Sequence, residues 1–495
     1  MGENNIMTKD HTMHEALSPE SVGISSQALL RFLNRLEEER IAMHGFLVVR
    51  HGLITAEGYW PPFSKDRLHR MYSVSKSFVS LAVGCMIDEG KLSLTDAVAD
   101  YFPDKIPCDV HPYIACSTVR DLLMMATPYS EISYGPHDSD WVWTFFNKTP
   151  SHLPGTIFYY DTAATVVLGT IVERLSGMPF LEYLRPRLLD PIGFSQDTWC
   201  VRTPEGTSWG GSGVQCTLRD MAKVALVCMN HGRWDGRQLI SSEYINAATS
   251  RQIDNSPLHG NHGYGYQIWM EKDNGFSFRG MGSQLAYCWP DKGFLFACIA
   301  DTQGEGPTGI GVIEAMHREL YDYLSDDSLP EDPEGMALLG NRIAGLQWAL
   351  PQGEISSPWV NRVSGVHYTM NDNPMGITDM AFTLQENEGI WEYTNAQGHN
   401  FLKFGIGKYI PDQFPQKNYY GAQIGTIPGI CYKCMASAAW AEEHKLNFII
   451  YITDDYFGTL KMTVAFRDDE IAVWMSKVAE WFLDEYEGFA GGRAV

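Results

Sequence analysis

The sequence has little positive charge: Lys and Arg number 37 against 60 Asp and Glu, for a net charge of −23. A nucleic-acid partner needs a basic stripe and an anionic membrane surface needs a basic face, so both are set aside. No uninterrupted apolar run is long enough to span a bilayer. Met1 to Glu20 is polar and has no apolar core, which argues against an ordinary signal peptide there, and the expected location is cytoplasmic. The ten cysteines are scattered. Cys85, Cys228 and Cys298 lie in apolar runs and read as reduced core residues. Cys431 and Cys434 form the one close pair, and without a second pair no structural zinc site is expected. There is no Gly-Lys-Ser/Thr phosphate loop, no His-Glu-x-x-His and no repeat of fixed period, so no metal or cofactor is expected.

What is present is material for large cores: 44% of residues are hydrophobic and 12% aromatic, over a length that suits two or more domains. Residues 1–20 read as a disordered or extended N-terminal tail. Ser26 to Arg40 reads as an amphipathic helix, with Leu29, Leu30, Leu33 and Leu36 on one stripe. Gly45 to Trp60 reads as a hairpin turning at His51-Gly52. Helical patches follow at Thr118–Met125, Ala163–Ser176 and Arg219–Gly232. Strands are expected at Gly263–Met270, Phe276–Arg279, Gln284–Trp289 and Phe294–Ala300, with a closing helix from Ile310 to Leu324. Strands at both ends with helices between predict an antiparallel sheet flanked by helices over residues 21–324, an α/β (α+β) sandwich. The acidic, Pro-containing stretch 325–335 reads as a linker. Short alternating runs over 336–495 predict a β-rich domain, a barrel of lipocalin-like type or a sandwich, ending in a helix from Ser476 to Tyr486.

Two motif matches fail on context. Gly206-Thr207-Ser208-Trp209-Gly210 has the Gly-x-Ser-x-Gly spacing of a nucleophile elbow, but it lies in a Gly-rich loop without the required strand and helix. Gly304 to Gly309 has dinucleotide-fingerprint spacing, yet the acidic stretch, not a second strand, follows the next helix.

Ser73-Val74-Ser75-Lys76 is the one place where a Ser precedes a Lys by three positions, and an apolar run to Gly90 follows it. On a helix such residues share a face. A Ser hydroxyl needs a base to become a nucleophile, and a Lys one turn along can serve. The helix N-terminus adds backbone N–H groups for a developing oxyanion. The plain alternative is an N-cap Ser with an exposed Lys.

Further segments recur in a fixed order: Gly90 to Asp96, Thr118 to Leu123, Pro154-Gly155-Thr156-Ile157-Phe158-Tyr159-Tyr160-Asp161, Leu175 to Phe180, Gly232 to Gly236, Gly263 to Tyr266 and Gly280-Met281-Gly282-Ser283-Gln284. Together with Ser73–Lys76 they resemble the serine β-lactamase and penicillin-binding-protein superfamily. The likeness is to the class C β-lactamase-like branch, with its family VIII esterases, D-peptidases and aminohexanoate-oligomer hydrolases. It covers about residues 20 to 325. The resemblance implies Ser73 as acylated nucleophile, Lys76 and Tyr160 as proton-relay partners, and the backbone N–H groups of Ser73 and Met281 as oxyanion hole. A phenol beside an ammonium is expected to have a lowered pKa. Two departures stand out: the family's Asn falls on Thr162, and its cationic third-motif position falls on Gly280. Thr162, Phe278, Arg279 and Gly280 are the candidate substrate contacts, with Arg279 read either so or as a structural ion pair. Tyr129, Tyr134, Trp141, Trp143 and Phe145 are read as core or acyl-pocket wall. The expected activity is serine hydrolysis of a small-molecule ester, amide or peptide. An acyltransferase, a β-lactamase, a silent scaffold and a homo-oligomer are left open.

Overall fold

The computed structural model describes residues 13–255, 262–305 and 310–495. It divides into two compact units, one reaching to Gln347 and taking in Ala422–Ile424, the other comprising Trp348–Gly421 and Gly425–Val495.

The first unit is built on a six-stranded antiparallel sheet. Its strand order is Leu53–Tyr59, Met43–Arg50, Phe294–Ala300, Gln284–Trp289, Phe276–Gly280 and Trp269–Met270. The first hairpin turns where expected: His51 and Gly52 have φ of 52° and 80°, the pair of positive values that matches the twist of adjoining strands. Met43–Arg50 and Phe294–Ala300 are buried along their whole length, so both sheet faces are covered. Helix Ser26–Glu38 packs with helix Ile310–Glu319, and its Phe32 meets Phe46 and Phe296 edge-on at 5.9 and 5.5 Å. Helix Leu218–Met229 also packs on the central strands. This is the expected sandwich of an antiparallel sheet with helices packed on it.

Several expected boundaries move. Of residues 1–20, those from Met13 on are described, and Glu15 bridges to Ile54. Gly263–Met270 is a strand only at Trp269–Met270, because Gly263 and Gln267 take φ of 93° and 59° and break the extension. The closing helix stops at Glu319, with a short 3-10 turn at Tyr321–Tyr323. The acidic stretch is a linker only in part: Asp332 caps a helix over Pro333–Ala344, accepting from the Gly335 N–H at 2.9 Å. Arg342 of that helix pairs with Glu37, which carries the unit boundary on to residue 347 rather than 335.

The second unit is a meander that closes into a nine-strand barrel where Gly398–Ile406 pairs in parallel with Lys433–Glu442; a short strand, Ile410–Gln413, lies beside the ring. That is one strand more than the lipocalin barrel. Inward residues alternate along each strand, as with Leu446, Phe448, Ile450 and Ile452. The expected terminal helix at Ser476–Tyr486 is not there. Strand Glu470–Ala479 continues the two-residue burial alternation of Ile471, Val473 and Met475, Trp481 and Leu483 take φ of 57° and 61°, and strand Gly488–Ala494 returns. Two left-handed residues break a helix, so the pattern resolves as a hairpin.

Among the described residues no single helix is long and apolar enough to cross a membrane.

Candidate active site

Ser73 sits in a 3-10 turn, Tyr72–Val74, that runs straight into helix Ser75–Asp88. The residue before it is forced: Tyr72 is buried at φ 46°, a costly conformation for an aromatic that persists only where its surroundings impose it. They do. The Met71 N–H donates to the Val214 carbonyl at 2.8 Å. The buried Arg70 guanidinium lies over the Tyr72 ring at 4.3 Å and donates to the carbonyl and hydroxyl of Ser212 at 3.1 and 3.2 Å. The turn leaves Ser73 partly exposed at the head of a helix buried from Ser75 to Met86.

Lys76 is 1% exposed. A buried ammonium needs hydrogen bonds to offset its lost hydration. Its Nζ donates to Ser73 Oγ at 2.9 Å and to the Gly211 carbonyl at 2.6 Å. Lys76 therefore faces Ser73, and the exposed-Lys alternative does not hold.

Tyr160 comes from the segment ahead of helix Thr162–Ser176. Its phenol hydrogen-bonds with Ser73, and Lys76 Nζ lies 4.9 Å from its ring centroid. Tyr159 instead donates its N–H to the Met125 carbonyl. Trp269 stacks on the Tyr160 ring at 5.2 Å, and Tyr264 meets it edge-on at 6.4 Å. Burial pushes the phenol up to about 12, with the Ser73 hydrogen bond and the Arg279 charge pulling the other way. This reverses the expected lowering. Burial outweighs the Ser73 hydrogen bond and the Arg279 charge.

The third segment joins strands Phe276–Gly280 and Gln284–Trp289 through Met281, Gly282 and Ser283, the last two at φ 75° and 69°. An ideal Cβ at Gly280 would fall 2.4 Å from the Met71 carbonyl and 3.3 Å from the Ser73 nitrogen. Gly280 thus has room for backbone alone and brings its strand end against the Ser73 turn. The buried Gln284 side chain ties that peptide down, donating to the carbonyls of Met281 (2.7 Å) and Ala300 (2.9 Å) and accepting from the Ala300 N–H (3.1 Å).

The candidate substrate contacts divide. Phe278 is fully buried within strand Phe276–Gly280. Arg279 is engaged in an ion pair with Glu271, Nε to Oε1 at 3.1 Å, and lies 5.3 Å from the rings of both Trp269 and Tyr287. Thr162 opens its helix with its methyl against Gly211, where an added Cβ would come within 2.4 Å. Tyr129, Trp141 and Phe145 are core. Tyr134 stacks on Trp141 at 3.9 Å and accepts from Trp209 Nε1 at 3.2 Å, while Trp143 is 51% exposed.

Sequence reasoning missed three contributors. Gly211 supplies the carbonyl that binds Lys76. Gly210, beside it, would place a Cβ 2.5 Å from Val79, so the Gly-rich run is the site's floor; Ser208 within it is buried and no elbow nucleophile. The signal was the bare cluster Gly210-Gly211-Ser212-Gly213. Trp269 carried no signal beyond its aromaticity. Asp161 was visible only as the residue after Tyr160. Among the described residues no three His, Cys, Asp or Glu are grouped as a metal would need. Cys434 is buried with its thiol toward the Asp412 carbonyl, and residues 306–309 of the dinucleotide-like run lie outside the described residues.

Residues 33–318 match the family model described as Beta-lactamase. The chain is 27% identical over 247 residues to the 6-aminohexanoate-dimer hydrolase of Paenarthrobacter ureafaciens, covering 46% of this chain and 63% of that protein. It is 23% identical over 186 residues to a beta-lactamase of Escherichia coli K12, covering 33% of this chain and 48% of the other. The alignments thus span less than two thirds of those relatives' length. A penicillin-binding protein homologue from Caulobacter crescentus superposes with a TM-score of 0.50 at 19% identity, over 60% of this chain and 97% of that one.

Proposed function

Because the chain belongs to the beta-lactamase family, we propose that it is a serine hydrolase that cleaves a small ester or amide through an acyl-enzyme on Ser73. The observation that carries this reading is Lys76 Nζ at 2.9 Å from Ser73 Oγ, in a site that Tyr160 closes from the other side. With the phenol pushed up to about 12, the amine form of Lys76 is the first proton acceptor and Tyr160 relays. Ser73 Oγ attacks the carbonyl carbon and its proton passes to this pair. The backbone N–H groups of Ser73 and Met281 stabilise the oxyanion. The bond to the leaving group breaks, and that group takes the proton. Water then attacks the ester by the same route and releases the acid.

An ester or amide is favoured over a β-lactam because the third segment offers no free cation for a carboxylate. Position 280 has no room for a side chain, and Arg279 is engaged by Glu271. The relative named as a 6-aminohexanoate-dimer hydrolase fits the same class.

The test is a panel of p-nitrophenyl esters, D-amino-acid amides and nitrocefin, with a fluorophosphonate probe read by peptide mass spectrometry. Adduct on Ser73 and turnover of the esters or amides, both lost at least ~10³-fold in Ser73→Ala, are expected. Full turnover by Ser73→Ala would overturn the mechanism. A competing amine or alcohol in the assay separates hydrolysis from acyl transfer.

A further inference from the structure

Asp161 stands between two residues of the site and belongs to neither the nucleophile nor the relay. Its carboxylate is fully buried. Oδ1 accepts the Ala163 N–H at 2.9 Å as the N-cap of helix Thr162–Ser176. Oδ2 accepts the Thr127 hydroxyl at 3.0 Å, and the Asp161 N–H lies 3.3 Å from Met125 Sδ. The residue is therefore clamped on three sides. Tyr160, one position before it, and Thr162, one position after it, inherit its placement. Thr162 packs on Gly211, whose carbonyl holds Lys76.

We infer that Asp161 is a positioning residue with an electrostatic role: its clamped carboxylate sets where Tyr160 and Thr162 stand and acts as the buried counter-charge of Lys76. The inference rests on the Ser73–Lys76 reading above. The charged and titratable groups facing Asp161 are Lys76 from helix Ser75–Asp88, Lys148 beyond helix Trp141–Asn147, and the phenols of Tyr129 and Tyr159 from the flanking loops. Burial pushes the carboxyl up to about 6, and its two hydrogen bonds and the attraction of Lys76 and Lys148 pull it back down. At pH 7 it is an anion in low dielectric. An anion there favours the ammonium form of Lys76, and so sets the pH above which Lys76 becomes a base.

Asn at this position keeps the shape and the cap, since Asn and Asp cap equally well, and removes the charge. In Asp161→Asn the acidic limb of kcat/KM for an activated ester moves to lower pH by about one unit. Asp161→Ser, which keeps a capping oxygen and also lacks the charge, shifts the limb the same way, so the inference does not hang on one variant folding. Both are compared with wild type for thermal midpoint. A purely structural Asp161 predicts a drop in kcat with an unmoved limb in both variants, and that result overturns the inference. Fluorophosphonate labelling of Ser73 in wild type separates the two failures. No adduct sinks the Ser73 reading itself, whereas an adduct with an unmoved limb sinks only the role of Asp161.

Discussion

At residue scale the sharpest constraint is the space beside Gly280. An ideal Cβ there would lie 2.4 Å from the Met71 carbonyl oxygen, closer than non-bonded carbon and oxygen approach. Backbone, not a flexible side chain, is in the way. An Ala at 280 must push its strand off the nucleophile's turn and carry the Met281 N–H away from the oxyanion position. Misplacement on the order of 1 Å costs ~10²-fold in rate. Gly280→Ala is therefore expected to lower kcat far more than it raises KM, at a stability cost of about 1–3 kcal/mol. Steady-state kinetics on an activated ester with a thermal melt will check this; wild-type kcat would show that the Met281 peptide is not part of the site.

At the scale of elements, the turn from Met281 to Ser283 is held less by its own sequence than by Gln284, whose amide donates to the carbonyls of Met281 and Ala300 and accepts from the Ala300 N–H. Gln284→Leu fills the same space but orphans two carbonyls and an N–H. It should destabilise by about 2–4 kcal/mol and slow Ser73 labelling by fluorophosphonate, as seen in urea melts and labelling rates. Unchanged labelling would assign Gln284 to stability alone. What could be read in advance follows the range of the signal. The His51-Gly52 hairpin, the amphipathic helix from Ser26 and the Ser73–Lys76 spacing are local, and all stand in the structure. Gly211, Trp269 and Asp161 reach the site from 135, 193 and 85 residues beyond Lys76 or on its far side, counting from their numbers, by packing that no local pattern encodes. The terminal helix failed for a related reason. Ser476 to Tyr486 has enough apolar residues for either element, and pairing of Ser476–Ala479 with Gly458–Lys461 decides for a strand there. The sign of the Tyr160 shift failed because charge was visible in sequence and burial was not.

At the scale of the whole molecule, the first unit carries a device that couples its stability to acid. His44 Nδ1 and His69 Nε2 lie 2.8 Å apart, and both rings are 1% exposed. His69 Nδ1 faces the Arg70 carbonyl at 2.9 Å. A carbonyl only accepts, so His69 carries its proton on Nδ1 and its Nε2 must accept from His44 Nδ1–H. The pair is satisfied with one proton on each ring and is broken by a proton on His69 Nε2, the accepting atom. Burial, reinforced by Arg67 and by the pair's own proximity, holds His44 well below the ordinary value and His69 down at about 3. The unfolded rings titrate near 6.5. Between pH 6.5 and about 3 the unfolded chain thus binds protons that the native pair refuses, so stability rises with pH there and falls on acidification. Two such sites give a slope of up to ~2.7 kcal/mol per pH unit. Asp161, pushed up to about 6, works the other way between about 4 and 6 and offsets part of it. A wild-type midpoint that falls steeply between pH 7 and 5, and a His44→Phe/His69→Leu variant whose midpoint falls less, are expected from urea melts at each pH. Parallel curves for the two proteins would remove the pair from the account. The consequence reaches the site, because His69 and Arg70 form the strand that pairs with Gln215 and Cys216, and Arg70 holds the Tyr72 turn that presents Ser73. Protonating the pair should therefore loosen the turn that presents Ser73, and fluorophosphonate labelling should fall on acidification more in wild type than in the His44→Phe/His69→Leu variant.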